Sequence, residues 1–289
     1  MAPVCHFPKL SLAILVAVLV FASPATSDGA EISGARKDQN GFLVHTVQSE
    51  YQAGKTEIKV LLPDQADKQR RHEVLYVLPV EAGNGKRWGD GLLEIKRLGL
   101  HNKYGLICVF PTFSHLPWYA DHPTNDAIRQ ESYLLKVVVP FVDSSYPAIA
   151  KAEGRLLVGF SKSGWGAFSL LLRHPTVFGK AAAWDAPLTM TEPNNFGMGP
   201  IFGTQENFQH YQITKLLERE AKTFGVGTPR LFHFGYGGFR KHHQETETLM
   251  NELRISHSYR DGPKRKHAWN GGWLPEAVEF LAGNEQKKR

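Results

Sequence analysis

The sequence predicts an α/β domain with a mostly parallel central sheet, antiparallel strands at its N-terminal edge and helices on both faces. Three observations carry that prediction. Short, almost wholly apolar runs at 74–78, 105–110, 155–158 and 181–184 read as strands covered on both sides. Stretches of helical character separate most of them, and alternation of this kind builds a parallel sheet with right-handed crossovers. The first two strands, 42–47 and 56–62, have no helix between them, so they pair antiparallel at one edge.

The elements follow in order. Residues 31–40 are polar and predict a loose segment. The strand at 56–62 alternates before Pro63, and 64–72 is a charged loop. After the strand at 74–78 come a glycine-containing loop, 79–91, and a helix, 92–98. Pro111 closes the strand at 105–110. Residues 113–126 form an aromatic and polar loop, and 131–142 a helix with a kink or an end near Pro140. The strand at 155–158 leads into a small-residue turn and an apolar helix that stops at His174-Pro175. Beyond the strand at 181–184, residues 189–203 are rich in Asn, Gly, Pro and Met and read as a long loop or lid. A helical region, 206–224, precedes the strand at 230–234. A helix at 243–253, a strand at 257–260 and a helix at 274–281 complete the series. No repeat, linker or second composition regime interrupts it, so 28–289 is expected to be one domain.

The N-terminus has another character. Lys9 precedes an apolar run from 10 to 22, and Ala25 and Ser27 stand like the −3 and −1 residues of a cleavage site. This predicts a signal peptide over 1–27 and a secreted or periplasmic protein. An apolar run of about 13 residues is short for a membrane span. Removal of 1–27 leaves Cys108 without a disulfide partner, in an apolar run that predicts a buried thiol. The net charge of +6 is spread along the chain, and no basic stripe interleaved with aromatics marks a nucleic-acid partner.

The chemistry centres on Gly159-Phe160-Ser161-Lys162-Ser163-Gly164-Trp165-Gly166-Ala167. A serine between a buried strand and a helix can be held at a strained bend as a nucleophile, provided the residues two before and two after are small. Around Ser161 these are Gly159 and Ser163; around Ser163 one would be Trp165, so Ser161 is the candidate. The competing reading is a serine that caps the helix. A nucleophilic serine needs a base. His267 lies in a loop after the last strand, at the sheet edge where the turn also lies. The other histidines, including His233, His242, His243 and His257, read as packing or surface residues. No H-x-x-x-H spacing points to a metal, and no cofactor is expected.

This elbow resembles that of the esterase D and feruloyl esterase-like branch of the α/β-hydrolases, which also includes mycolyltransferases. Residues 74–78 resemble the family's strand before the oxyanion loop. Lys266-His267-Ala268-Trp269, followed by Trp273, resembles its histidine loop. The likeness runs from about 74 to 281. It implies an α/β-hydrolase fold and a Ser-acid-His triad acting on carboxylic esters, with Lys162 and either Val80 or Glu81 giving oxyanion N–H groups. Two features depart from the family. Pro79-Val80 replaces the usual H-G, so the first donor falls to Val80 or Glu81. The loop after 230–234, where the family carries its acid, reads Gly235-Tyr236-Gly237-Gly238-Phe239-Arg240 and has no carboxylate.

Three acids keep the order Ser, acid, His. Asp185 ends the strand after the elbow helix and is preferred; Glu245 is the alternative, and Asp261 a third choice. Trp118, Tyr119, Trp165, Trp184 and the 189–203 loop either line a cleft or belong to the core. The expected substrate is a small-molecule or glycan ester, on carbohydrate-linked or aromatic acyl groups. The alternatives are an acyltransferase with the same triad and a non-catalytic carbohydrate-binding protein on a hydrolase fold.

Overall fold

The computed structural model describes Met1 and residues 25–27, 29–65, 70–235 and 237–283. The apolar run of the predicted signal peptide, 10–22, lies outside the described residues. The chain opens with β1 (Ala25–Ser27), β2 (Ala30–Ile32), β3 (Arg36–Lys37), β4 (Leu43–Ser49), β5 (Lys55–Leu61) and β6 (Val74–Val77). Helices α1 (Gly91–Arg97) and α2 (Leu100–Tyr104) lead to β7 (Ile107–Pro111). Next come α3 (Gln130–Tyr133), a π-helical turn (Leu134–Val138), α4 (Val139–Ser145), β8 (Arg155–Phe160), α5 (Ser161–Arg173) and β9 (Lys180–Trp184). The last third holds α6 (Gly199–Phe202), α7 (Gln205–Tyr211), α8 (Ile213–Phe224), β10 (Leu231–Phe234), α9 (Arg240–Glu252), β11 (His257–Arg260) and α10 (Leu274–Ala282).

One sheet runs in the order β1-β2-β4-β5-β7-β6-β8-β9-β10-β11, with β3 also on β4. From β7 to β11 the strands are parallel, and from β7 back to β1 antiparallel. The fold is the predicted one, with the antiparallel pair at the predicted edge. Both faces are covered because alternate side chains of each apolar strand enter different cores. Val74, Tyr76, Leu157 and Ala181 pack with α4, α5, α8 and α9. Leu75, Val77, Leu156 and Ala182 pack with α1, α2 and α10.

The structure corrects three readings of the sequence. Residues 31–40 are not merely loose: β2 and β3 pair there with β4, since a strand with one face open to solvent needs apolar residues on the other face only. The region 206–224 is two helices that break at Gln212, where ψ is 118°. The helix at 131–142 does not end at Pro140 but runs on to Ser145. It widens into the π turn, in which the Val139 N–H bonds to Leu134 O, and Pro140 then occupies the first turn of α4. Proline has no N–H to give there, and none is required at that position.

The parallel strands end in register at one edge. Phe160 pairs with Trp184, Trp184 with Phe234, and Phe234 with Arg260. The residues that follow, Ser161, Asp185, Gly235 and Asp261, therefore stand in a row. Backbone bonds join the row: Ser161 N–H to Asp185 O at 3.2 Å, Asp185 N–H to Phe234 O at 3.0 Å and Gly235 N–H to Arg260 O at 3.4 Å.

Candidate active site

Ser161 begins α5 with φ of 52°, in the left-handed region. A non-glycine residue held there stores about 1–3 kcal/mol of strain. The close turn depends on the small neighbours that the sequence showed: a Cβ on Gly159 would stand 2.3 Å from Ser163 O. Ser163 is buried and serves the turn itself. Its Oγ accepts from Phe160 N–H at 3.1 Å and donates to Phe160 O at 3.0 Å.

Asp185 is wholly buried, also at positive φ (40°), at the end of β9. Its Oδ2 lies 2.7 Å from His267 Nδ1. The same carboxylate accepts from Phe239 N–H at 2.8 Å and Gly238 N–H at 3.2 Å. The loop that lacks the family's acid thus gives two backbone donors to an acid borne one strand earlier. Glycine at 237 makes the approach possible, since a Cβ there would fall 2.1 Å from Asp185 Oδ2.

The alternative acids are engaged elsewhere. Glu245, on α9, accepts from Thr189 Oγ1 at 2.6 Å and faces Lys241 at 3.6 Å, so the structure does not bring it to His267. Asp261 holds Arg240 through both oxygens, at 2.8 and 2.6 Å.

His267 is partly exposed, with an aromatic surround. Its ring centroid lies 5.1 Å from Phe160, 5.4 Å from Trp88, 5.9 Å from Trp184 and 6.1 Å from Phe239. Trp269 ties the histidine loop to the 79–91 loop through its N–H to Trp88 O at 2.9 Å. In that second loop Val80 is buried and Glu81 half-buried. The Lys162 side chain is half-buried rather than fully exposed; burial lowers its pKa, Glu81 pulls it up and Arg87 down. Trp118, Tyr119, Trp165 and Trp184 do not line an open cleft: all four are core. Phe196, in the 189–203 loop, is exposed, and it packs on Phe239 at 5.6 Å.

His233, Glu247 and His257 present three possible metal-ligand atoms within 4.8 Å of one another. Helix spacing could not reveal this cluster, because β10, α9 and β11 each give one member. The proton positions speak against a metal. Ala186 N–H donates to His243 Nε2 at 2.8 Å, so the proton of neutral His243 is on Nδ1. It points at His233 Nδ1, 3.3 Å away, which leaves the proton of His233 on Nε2, facing Glu247 at 3.5 Å. Burial lowers both histidine pKa values and keeps the rings neutral. A metal on His233 Nε2 would displace that proton while Nδ1 already accepts one, leaving an imidazolate. The donors fit a hydrogen-bonded relay that ends on the peptide after Asp185.

Comparison with known proteins bears on the family and the fold. Residues 113–248 match the family model described as "Putative esterase". The match takes in Ser161 and Asp185 and stops before His267, and it bears out the resemblance read from the elbow. Esterase MT1326 of Mycobacterium tuberculosis is 24% identical over 148 residues, 49% of this chain and 31% of that protein. The chain thus spans under a third of the length of this esterase relative. A ferulic acid esterase superposes with a TM-score of 0.67 at 21% identity, covering 84% of this chain and 98% of that one. FphF, a fluorophosphonate-binding serine hydrolase of Staphylococcus aureus, gives 0.68 at 15% identity, covering 83% and 98%. These likenesses establish the α/β-hydrolase fold.

Proposed function

We propose that the protein is an exported serine hydrolase of carboxylic esters, with Ser161 as nucleophile, His267 as base and then acid, and Asp185 as the residue that orients His267. One observation carries the reading: a fully buried carboxylate 2.7 Å from His267 Nδ1, in the row headed by a serine at positive φ. The carboxylate accepts a hydrogen bond from the Nδ1–H, which holds the proton on Nδ1 and leaves the Nε2 lone pair as the base. Ser161 Oγ bonds to the ester carbon while its proton passes to Nε2. The Lys162 N–H and the N–H of Val80 or Glu81 stabilise the oxyanion. The C–O bond to the alcohol then breaks, and His267 returns the proton to the departing oxygen. Water attacks the acyl-Ser161, gives a proton to His267, and the acid leaves as Ser161 recovers its proton.

Aromatic or carbohydrate-linked acyl groups are the proposed substrates. The Phe196–Phe239 pair beside His267 and the likeness to a ferulic acid esterase support the aromatic case. Export rests on the signal-like segment 1–27; loss of secretion on its deletion is the expected result, and unchanged secretion would remove that part.

The test of the chemistry is labelling by a fluorophosphonate probe together with hydrolysis of p-nitrophenyl and feruloyl esters. Ser161→Ala is expected to abolish both. Asp185→Asn should lower kcat by about 10⁴-fold, and Glu245→Gln should leave it within about twofold because its carboxylate is bound to Thr189. Hydrolysis that survives in Ser161→Ala would overturn the mechanism.

A further inference from the structure

Tyr119 lies beside the proposed oxyanion hole without lining it. We propose that Tyr119 is a positioning residue, whose phenol fixes the Pro79–Val80 peptide and thereby the aim of the Val80 N–H relative to the helix that carries Ser161. The proposal rests on the serine-hydrolase reading above and makes Val80, rather than Glu81, the loop's donor.

The sheet lets go of the chain just before this peptide. Leu78 N–H bonds to Val158 O at 3.0 Å, and Pro79 has no N–H with which to continue the ladder. The next hold is the Tyr119 hydroxyl, which donates to Pro79 O at 2.5 Å. In a trans peptide the carbonyl and the N–H point in opposite directions. A hydrogen bond that fixes Pro79 O therefore fixes the direction of the Val80 N–H.

The same ring sets the distance to the other donor. It lies against Gly166 of α5, so close that a Cβ there would be 2.0 Å from Tyr119 Cδ2. The first turn of α5 supplies the Lys162 N–H. One rigid ring thus spans the helix that gives one oxyanion donor and the loop that gives the other.

Tyr119 is itself over-determined. Its φ is 57°, in the left-handed region. The side-chain oxygen of buried Gln130 accepts from both Trp118 N–H and Tyr119 N–H at 2.8 Å, and its amide donates to Leu116 O at 3.0 Å. Strain of this kind persists where the surroundings impose it, and it gathers at functional sites. Of the five described non-glycine residues at positive φ, three are Tyr119, Ser161 and Asp185. Burial also raises the phenol pKa well above its ordinary value, which keeps the hydroxyl a donor at every working pH. Phenylalanine would fill the same space, so it is the hydroxyl that packing alone leaves unexplained.

The experiment compares the full-length wild type with Tyr119→Phe. Loss of one oxyanion donor costs about 10²–10³ in kcat, and a mis-aimed donor should cost less, about 10–100-fold, with KM changed by less than about threefold. A boronic acid, which forms a tetrahedral adduct with the serine, should weaken by the same factor as kcat, while the planar product carboxylate binds as before. Equal kcat in the two proteins overturns the proposal. So does a loss shared by kcat, KM and carboxylate affinity, which is the mark of a merely structural tyrosine. If Tyr119→Phe does not fold, Tyr119→Met is read in the same way. A wild type that labels at Ser161 and turns over ester confines any failure to Tyr119. A wild type that does neither overturns the underlying reading and the positioning role with it.

Discussion

Asp185 meets His267 beside a glycine-rich loop that gives it backbone donors. Its carboxylate is satisfied by His267 and by the Gly238 and Phe239 N–H groups, so a buried polar group is not left unpaired. Gly237→Ala would drive a Cβ to 2.1 Å from Oδ2. The expected result is a kcat lowered by about tenfold or more, because the acid is moved from its histidine, and a stability loss of about 1–3 kcal/mol from overpacking. Steady-state kinetics and urea melts measure the two effects; an unchanged kcat would show that the carboxylate tolerates displacement. Much of this site was legible in the sequence. Ser161 followed from the need for small neighbours, His267 from its place after the last strand, and Asp185 from the edge at which its strand ends. The backbone donors were not legible, because Gly235-Tyr236-Gly237-Gly238 carries no side-chain signal for what its N–H groups do. The bond from Ala186 N–H to His243 was hidden for the same reason: one partner is a peptide.

At the opposite end of α5 from Ser161, helices are fastened by one buried acid. Glu131, on α3, accepts from Arg173 Nε at 2.8 Å and Nη2 at 3.0 Å, from His174 Nε2 at 2.5 Å and from Tyr211 OH at 2.9 Å. It therefore joins the start of the π-turn segment, the end of α5, which Ser161 begins, and the end of α7. Burial pushes its pKa up, but His174 and Arg173 outweigh burial and hold it at about 2, against an ordinary value of 4.5. A carboxylate depressed on folding contributes stability above its unfolded pKa, and that contribution is lost as pH falls through the folded one. Wild-type stability should therefore fall from about pH 4.5 towards about pH 2. Glu131→Gln leaves the partly buried Arg173 guanidinium without its anion, at a cost of about 1–3 kcal/mol at neutral pH. The gap between variant and wild type should close across the same acid window; a gap independent of pH would show that the carboxylate's charge does not matter. The sequence announced a helix here and a disturbance at Pro140. It did not announce a π turn, since whether a chain kinks or widens before proline is settled by what it packs against. The clamp was equally invisible, because its members lie 42, 43 and 80 residues from Glu131.

At the scale of the whole molecule, the sheet was the most legible feature. Central strands covered on both faces must be apolar, and they announce themselves; β2 and β3, short and open to solvent on at least one face, need not, and they were hidden in polar sequence. Cys108 probes how the two halves of that sheet cohere. It lies on β7, where the antiparallel and parallel parts meet, paired with Leu61 of β5 on one side and Leu75 of β6 on the other. It is wholly buried, and burial pushes its thiol pKa up, so little thiolate exists even when the strand opens briefly. Reaching the sulfur requires parting β7 from two neighbours and from the core beneath α1 and α10. In a Cys5→Ser background, a thiol reagent such as DTNB should therefore count no reactive cysteine in the native protein and one in strong denaturant. The free energy of opening, taken from labelling rates across a urea series, should match global unfolding in both size and slope. A shallower slope would mean that the strand at the junction opens by itself, and that the antiparallel edge and the parallel body behave as separate cooperative units.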